Sequence, residues 1–216
     1  MNFKNEKKYA QKSENIPHVK LNLGCGQQII DNWVNVDYFI GARLAKFKIF
    51  NFFFNISWDK RIFIHDLTKK FPWKDNSVDV IYTSHTLEHF DREEGLFVLN
   101  ESKRVLKKGG IIRILVPDLK EIVASYINKE YPADRFLEGL LVLNKKTNSK
   151  FKNFLNYFFQ FPHKCMYDNE TLLSILKNLG FNAQIKKMHE SEIDGIEKFE
   201  IEGRAYKAVI VEGIKL

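Results

Sequence analysis

Two glycines and one carboxylate near the N-terminus have the spacing that points most directly to chemistry. Gly24 and Gly26 follow a short apolar run, and Asp37 ends a second apolar run. Glycine lets the backbone pass close to a ligand because no Cβ stands in the way, and a carboxylate at a strand end can accept both hydroxyls of a ribose. Since ligands of open α/β sheets bind at the carboxyl ends of the strands, these residues predict a nucleoside site.

The same segment departs from the fingerprint of a dinucleotide site in two ways. Ile29 stands where G-x-G-x-x-G would place its third glycine, and Asp37 follows Gly24 by 13 positions, where a dinucleotide fold uses about 20. So short a gap leaves little room for the helix whose N-terminus would hold a pyrophosphate. The segment therefore favours a nucleoside ligand without phosphates.

A second group, made of His85, Glu88 and His89, matches the H-x-x-E-H pattern of the inverted zincins. A zinc site of that kind would need both histidines on one helical face, a further ligand and the glutamate as base. Here the pattern begins at the turn that directly follows a buried strand. We therefore predict no metal site and interpret Glu88 and His89 as structural, with Glu88 near the loop that holds the ligand.

Two histidines are the candidates for catalysis. His85 follows a buried strand, where it could act as a general base or could bind and orient a substrate. His163 precedes a capped helix. It could contact the substrate, or it could simply lie in a surface loop. Cys25 is interpreted as a small buried residue and not as a nucleophile, because no ordered His and Asn accompany it.

Alternating strands and helices position these residues. Strands are expected at 18–23, 33–37, 61–65, 77–83, 111–116, 181–187 and 205–212, and helices at 91–106, 119–129 and 168–179. Asp91 with Glu94 is typical of a helix N-cap, and Gly109-Gly110 is expected to end that helix. The pattern predicts an α/β fold, Rossmann-like, with a mostly parallel sheet of seven strands, helices on both faces and an antiparallel last strand, since no helix is expected between the final two strands.

The domain organisation follows from composition along the chain. Residues 1–17 are interpreted as a polar tail, and 18–216 as a single domain with an aromatic and basic insertion at about 131–165. A second aromatic stretch covers residues 38–58. Both stretches could form a substrate lid, contact a membrane surface or pack as ordinary core and loop.

The net charge of +7 is dispersed over the chain, and 44% of the residues are hydrophobic. A globular protein with an anionic small-molecule partner fits this balance, and so does a lysine-rich surface without a partner. No apolar run is long enough to span a bilayer. The two cysteines fit neither a disulfide framework nor a zinc spacing, and the N-terminus lacks a signal core, so we expect a cytoplasmic protein.

The order of the motifs resembles that of class I S-adenosylmethionine-dependent methyltransferases. The variant is the small bacterial, type-11-like one, with a shortened first helix and a tryptophan before the acidic strand, which often accompanies surface-polysaccharide synthesis. The matching segments are Leu21 to Gly26, His65 to Leu67, Phe71 to Asp79, Ser84 to His89, Arg104 to Gly110, Pro117-Asp118 and His163 to Asp168. The resemblance covers residues 18–130 well and 163–212 more loosely.

The resemblance implies S-adenosyl-L-methionine as cofactor and a role for each matching residue. Gly24 and Gly26 would line its methionine part, and Asp37 would bind the ribose. Asp66 would contact the adenine amine, with Leu67 presenting its backbone, although Asp66 could also be a plain turn residue. The remaining members of the implied cofactor set are Cys25, His65, Ser84 and His85.

The resemblance also implies an acceptor, namely a hydroxyl of a sugar, a sugar nucleotide or a related precursor of a surface glycan. A nucleic-acid methyltransferase is the first alternative. Against it, Tyr82-Thr83-Ser84-His85 stands where many amino-methylating enzymes carry Asn/Asp-Pro-Pro-Tyr. A non-catalytic adenosyl-binding module is the second alternative, and the intact Gly24, Gly26, Asp37 and Asp66 argue against that.

Overall fold

A computed structural model describes residues 18–38, 59–141 and 162–216. One sheet of seven strands has the order β3-β2-β1-β4-β5-β7-β6. The strands are β1 Lys20–Leu23, β2 Val34–Asp37, β3 Ile62–Ile64, β4 Val78–Ser84, β5 Leu106–Pro117, β6 Phe181–Ile185 and β7 Ala208–Lys215. The helices are α1 Arg92–Val105, α2 Leu119–Ile127, α3 Ala133–Gly139, α4 Asn169–Asn178 and α5 Glu202–Ala205, with 3₁₀ turns at Leu87–His89 and Ile196–Lys198.

The strand directions confirm the predicted fold class. Strands β1 to β5 run parallel to one another. Strand β7 lies between β5 and β6 and is antiparallel to both. The segment between β1 and β2 contains no helix, in agreement with the short spacing from Gly24 to Asp37. The carboxyl ends of β1 to β5 therefore meet at one edge of the sheet, which is where a ligand binds in this architecture.

Apolar side chains cover both faces of the sheet. Ile114 and Val116 of β5 belong to a large core that also contains residues of β1, α1 and α4. Leu115, which lies between them, belongs to a second core with Tyr82 and with Ile196 from the segment before β7. This alternation is that of a central strand buried on both faces.

Helix α1 begins as predicted, but it ends earlier. Asp91 accepts from the backbone N–H of Glu94 while the Glu94 side chain accepts from that of Asp91, which is a complete capping box. The predicted stop at Gly109-Gly110 is wrong, because the helix ends at Val105 and β5 runs through both glycines. A Cβ on Gly110 would lie 2.8 Å from the carbonyl oxygen of Lys107, so close packing of backbone requires glycine there.

One further expectation is wrong, and another lies partly outside the described residues. A 3₁₀ turn and the short helix α5 stand between β6 and β7, where no helix was expected. Of the predicted insertion, residues 131–141 contain α3, whose Phe136 stacks on Tyr126 of α2 at 4.8 Å. The tail 1–17, the stretch 39–58 and residues 142–161 lie outside the description. None of the helices in the described ranges is long and apolar enough to cross a membrane.

A buried arginine fixes the segment that leads into β7. Arg113 of β5 is fully buried and donates both to the carboxylate of Glu200, at 2.9 Å, and to that of Glu212, at 3.1 Å. It also donates to the carbonyl oxygens of Lys187 and Glu190. Such a network anchors residues 187–200 on one face of the sheet and so positions α5, which follows directly.

Candidate active site

The turn after β1 requires glycine at two positions. Gly24 and Gly26 have φ of +65° and +53°, in the left-handed region that disfavours a Cβ. A Cβ on Gly24 would also overlap the side chain of Thr86, which follows β4. The Thr86 hydroxyl lies 3.4 Å from the carbonyl oxygens of Leu23 and Gly24. The loops after β1 and β4 are therefore in direct contact.

A hydrogen bond joins this turn to the end of β2. The backbone N–H of Gly26 donates to Asp37 Oδ2 at 2.7 Å, and the N–H of Cys25 donates to the Val36 carbonyl at 3.0 Å. Among the residues that the structure describes, and apart from Gly26 and its chain neighbours, no atom lies within 4 Å of the position of a Cβ on Gly26. An open glycine face beside a fixed carboxylate fits the ribose and methionine parts of an adenosyl cofactor.

The thiol of Cys25 lies inside this turn. The residue is 1% exposed, and burial, followed by the nearby Asp37 carboxylate, raises the pKa of the thiol to about 12. A protonated, buried thiol is a poor nucleophile, which agrees with the interpretation of Cys25 as a packing residue. Its predicted contact with the cofactor would be made by its backbone.

The residues after β3 are also positioned by local contacts. The His65 N–H donates to the Asp37 carbonyl at 3.1 Å, which joins the ends of β3 and β2. The His65 ring packs against Phe63, Phe71 and Trp73 at centroid distances of 6.0 to 6.4 Å. These contacts make the His65 ring part of the core around β3.

Asp66 and Leu67 continue this loop. Asp66 Oδ1 accepts from the N–H and the hydroxyl of Thr68 at 3.0 and 2.7 Å, which is an Asx turn, and Leu67 is 5% exposed. Asp66 therefore does stabilise a turn. Its contact with adenine stays a prediction, as does the contact of the Leu67 backbone.

Strand β4 ends at Ser84, which is buried, and His85 follows with φ of +53°. The His85 N–H donates to the Leu115 carbonyl at 2.9 Å. Both ring nitrogens have partners: Nε2 lies 2.8 Å from the carbonyl oxygen of Arg204 in α5, and Nδ1 lies 3.3 Å from Glu88 Oε1. Because a carbonyl oxygen only accepts, Nε2 carries a proton in this arrangement.

The charge on His85 follows from these partners. Burial acts to lower the pKa of its imidazole, but the hydrogen bonds to Glu88 and to the Arg204 carbonyl outweigh it, so the pKa is raised. A raised pKa favours the imidazolium. Sequence reasoning did not foresee Arg204 as a partner, because α5 was not expected.

Glu88 lies at the centre of the cluster that contains both candidate histidines. Its side chain is fully buried, and Oε1 lies 3.9 Å from His163 Nε2 as well as 3.3 Å from His85 Nδ1. The backbone N–H groups of Lys164 and Cys165 donate to the Glu88 carbonyl. Residues 163–165 therefore dock on the 3₁₀ turn after β4, and the structure brings His85 and His163 together through a residue that sequence analysis interpreted as structural.

His163 differs from His85 in its electrostatics. Its side chain is 5% exposed, and burial lowers the pKa of its imidazole despite the nearby Glu88. Its Nδ1 has no hydrogen-bond partner among the described residues. A buried neutral imidazole with an unsatisfied nitrogen is suited to receive a polar ligand.

Comparison with known protein families identifies the central part of the chain. Residues 21–114 match the family described as "Methyltransferase domain". This range includes the glycine turn, Asp37 and the strand β4 with His85 and Glu88. No curated protein sequence matches the chain.

Solved structures share the fold over nearly the whole chain. A methyltransferase of Haloferax volcanii, solved in complex with the Trm112 methyltransferase activator, has a TM-score of 0.51 and 13% identity, over 99% of this chain and 91% of its own. The YcgJ protein of Bacillus subtilis has a TM-score of 0.51 and 13% identity, over 99% and 98%. An S-adenosylmethionine-dependent methyltransferase of Archaeoglobus fulgidus has a TM-score of 0.50 and 17% identity, over 98% and 92%. At such identities the likeness shows the fold alone.

Proposed function

We propose that this chain, whose residues 21–114 match a methyltransferase domain, is a class I methyltransferase that transfers the methyl group of S-adenosylmethionine to a hydroxyl of a small polar acceptor. The reaction is a displacement in which the acceptor oxygen bonds to the methyl carbon while the bond from that carbon to sulfur breaks. S-adenosylhomocysteine leaves, and the hydroxyl proton passes to solvent or to a nearby base. The enzyme supplies mainly alignment and exclusion of water.

The hydrogen bond from Gly26 to Asp37 carries the cofactor half of the proposal. It sets a carboxylate beside an open glycine turn at the carboxyl edge of the sheet. We assign Asp37 to the ribose hydroxyls and the Gly24–Gly26 turn to the methionine part. Ser84, which is buried at the end of β4, and His85 face the same edge.

The acceptor half rests on the cluster around Glu88. His85 directs the proton on Nε2 at the Arg204 carbonyl and faces Glu88 through Nδ1, so we assign it to orienting the site and not to removing a proton. His163 docks against the same carboxylate and is assigned to contact with the acceptor. The loops after β1 and β4 touch through Thr86, so this cluster adjoins the cofactor turn.

The class of acceptor is inferred from charge and from the resemblance to enzymes of surface-polysaccharide synthesis. A net charge of +7 favours an anionic acceptor such as a sugar nucleotide. We place the reaction in the cytoplasm, where both cofactor and sugar nucleotides are made.

The experiment has two stages that separate the cofactor from the acceptor. Calorimetry of the full chain with S-adenosylmethionine and S-adenosylhomocysteine should give one binding site for each, and no binding of either would refute the proposal. Release of S-adenosylhomocysteine is then measured with sugar nucleotides, free sugars and RNA as acceptors. Turnover on RNA alone, with an affinity that falls steeply with salt, would replace the sugar assignment with the nucleic-acid alternative.

A further inference from the structure

Three side chains with metal-binding atoms converge on one point beside β4. Glu88, His89 and His163 each offer one ligand atom, and these three atoms lie within 4.8 Å of one another. Glu88 and His89 belong to the 3₁₀ turn, while His163 comes from the segment that docks on it. The rings of His89 and His163 pack edge to face, with centroids 5.1 Å apart.

The carboxylate in this group lacks the partners that a buried charge needs. The Glu88 side chain is 0% exposed, and its Oε1 lies 3.3 Å from His85 Nδ1 and 3.9 Å from His163 Nε2. Neither carboxylate oxygen makes a hydrogen bond of good geometry within the described residues, and neither does Nδ1 of the buried His163. A buried carboxylate is costly unless it is paired or coordinates a metal. The contact with His85 therefore leaves this carboxylate short of partners, and a bound cation would supply one.

The donor set has the chemistry of a zinc site. Two imidazole nitrogens and one carboxylate oxygen form a known three-ligand set for Zn²⁺, with a fourth position left open. Zinc bonds of about 2.0–2.2 Å place neighbouring ligand atoms roughly 3.3–3.6 Å apart. The 3.9 Å between Glu88 Oε1 and His163 Nε2 is slightly longer than this range, and the three ligand atoms lie within 4.8 Å of one another, so binding requires a small inward shift of these side chains.

The surroundings resemble the second layer of contacts around bound metals. His85 Nδ1 faces the carboxylate of Glu88, and ligating carboxylates are commonly hydrogen-bonded in this way. His89 Nδ1 lies 3.4 Å from the carbonyl oxygen of Pro162, the type of group that orients a ligating histidine. The prediction of no metal site rested on the need for His85 and His89 to lie on one helical face. That requirement does not apply to this group, because its second histidine is His163 and not His85.

We propose that Glu88, His89 and His163 bind one zinc ion, which ties residues 162–167 to the turn after β4. The ion joins two segments separated by more than seventy positions in the chain. The proposal concerns the metal alone and does not depend on which acceptor is methylated.

Cobalt provides a spectroscopic test, because tetrahedral Co²⁺ absorbs strongly in the visible and occupies zinc sites. The full chain is treated with a chelator, freed of it by gel filtration and titrated with Co²⁺. We expect one equivalent to bind with strong visible bands, and one equivalent of Zn²⁺ to bleach them. The absence of stoichiometric Co²⁺ binding by the wild type would overturn the proposal.

Variants distinguish a specific metal site from nonspecific metal binding. His163→Asn and His89→Asn should each weaken Co²⁺ binding at least tenfold, while His18→Asn, at an exposed histidine outside the cluster, should bind as the wild type does. Equal affinity in all three variants would show that the ion binds elsewhere. Glu88→Gln is a further test, and if it fails to fold, the partly exposed His89 still provides one.

Two further readouts complete the design. One is thermal melting with and without Zn²⁺, in which only chains that keep the site should be stabilised by bound metal. The other is calorimetry with S-adenosylhomocysteine on the chelated chain. Cofactor binding without metal binding would refute the zinc site and leave the methyltransferase assignment intact.

Discussion

The carboxylate of Asp37 accepts a hydrogen bond of 2.7 Å from the backbone N–H of Gly26, across the ends of β2 and β1. The bond orients one carboxylate oxygen and at the same time fixes a turn in which both glycines have positive φ. The side chain that we assign to the ribose thus also shapes the turn that we assign to the methionine part of the cofactor.

Replacing this carboxylate should weaken cofactor binding. In Asp37→Ala the ribose hydroxyls lose a charged acceptor and the Gly26 N–H loses its partner, so we expect affinity for S-adenosylhomocysteine to fall at least tenfold, which is about 1.4 kcal/mol. Calorimetry measures the change. The control is Asp31→Ala, at an exposed aspartate that pairs with Arg61, and its affinity should equal that of the wild type. Full affinity in Asp37→Ala would favour a ligand bound elsewhere.

A methyl group at Gly24 should disrupt the turn. Gly24→Ala adds strain at a φ of +65° and brings a Cβ into the Thr86 side chain, so we expect a loss of about 1–3 kcal/mol in the free energy of unfolding together with loss of cofactor binding. The matched control is Gly203→Ala in α5, where a Cβ meets no atom of residues 18–38, 59–141 or 162–216 within 4 Å and φ is not positive. Urea denaturation measures the free energy of unfolding of both variants. Equal stability of the two would contradict the conformation of this turn.

Asp79 should contribute to stability in a way that depends on pH. Burial acts to raise the pKa of its carboxyl, but hydrogen bonds from Lys107 and from the Val19 N–H outweigh it, and the net pKa is lowered. A group whose pKa is lower in the folded state stabilises above its unfolded pKa, near 3.9, and loses this effect as the pH falls through the folded pKa.

The measurement is the difference in the free energy of unfolding between the wild type and Asp79→Asn. It should be largest near neutral pH and shrink below about pH 4 as the carboxylate becomes protonated. Asp134→Asn, at an exposed position in α3, should show no such trend. A difference that stays constant with pH would mean that the carboxylate's charge is not what stabilises the start of β1.

The buried Arg113 should be one of the most sensitive positions of the chain. Arg113→Ala leaves the carboxylates of Glu200 and Glu212 buried without their cation, and breaking a buried pair in this way costs about 3–5 kcal/mol. Arg135→Ala, on the exposed side of α3, should cost less than about 0.5 kcal/mol. Chemical denaturation compares the two, and a small loss for Arg113→Ala would show that water reaches these carboxylates.

The fold could be predicted from sequence because its signals are local. The fold class follows from the alternation of apolar runs and helices, and Asp91 and Asp168 cap their helices as expected. Several residues of the matching motifs prove to be structural: Arg104 pairs with Asp75 and Lys107 with Asp79. The first pair joins the loop before β4 to the end of α1, and the second joins β4 to the start of β5. These motif residues therefore support the frame of the site.

The acceptor side could not be predicted, because its contacts are long-range. His163 contacts Glu88 from a distant part of the sequence, and the Arg204 carbonyl contacts His85 across 119 positions. No periodicity encodes such pairs. The error at Gly109-Gly110 has a similar origin: glycine commonly ends helices, but here it is needed where the backbones of neighbouring segments approach.

The last prediction concerns Cys25, whose position in the cofactor turn invites a catalytic interpretation. The thiol is buried, and its pKa is raised to about 12, so the reactive thiolate is scarce at any pH at which the protein is handled. We expect iodoacetamide at pH 8 to modify Cys165, which is only partly buried, at least tenfold faster than Cys25. Mass spectrometry of the digested chain measures both rates.

Cys25→Ser should keep its affinity for S-adenosylhomocysteine within about twofold, because the turn is held by backbone N–H groups and by Asp37. Rapid modification of Cys25 in the folded chain, blocked by S-adenosylhomocysteine, would instead place a reactive thiol in the cofactor site and contradict its role as a packing residue.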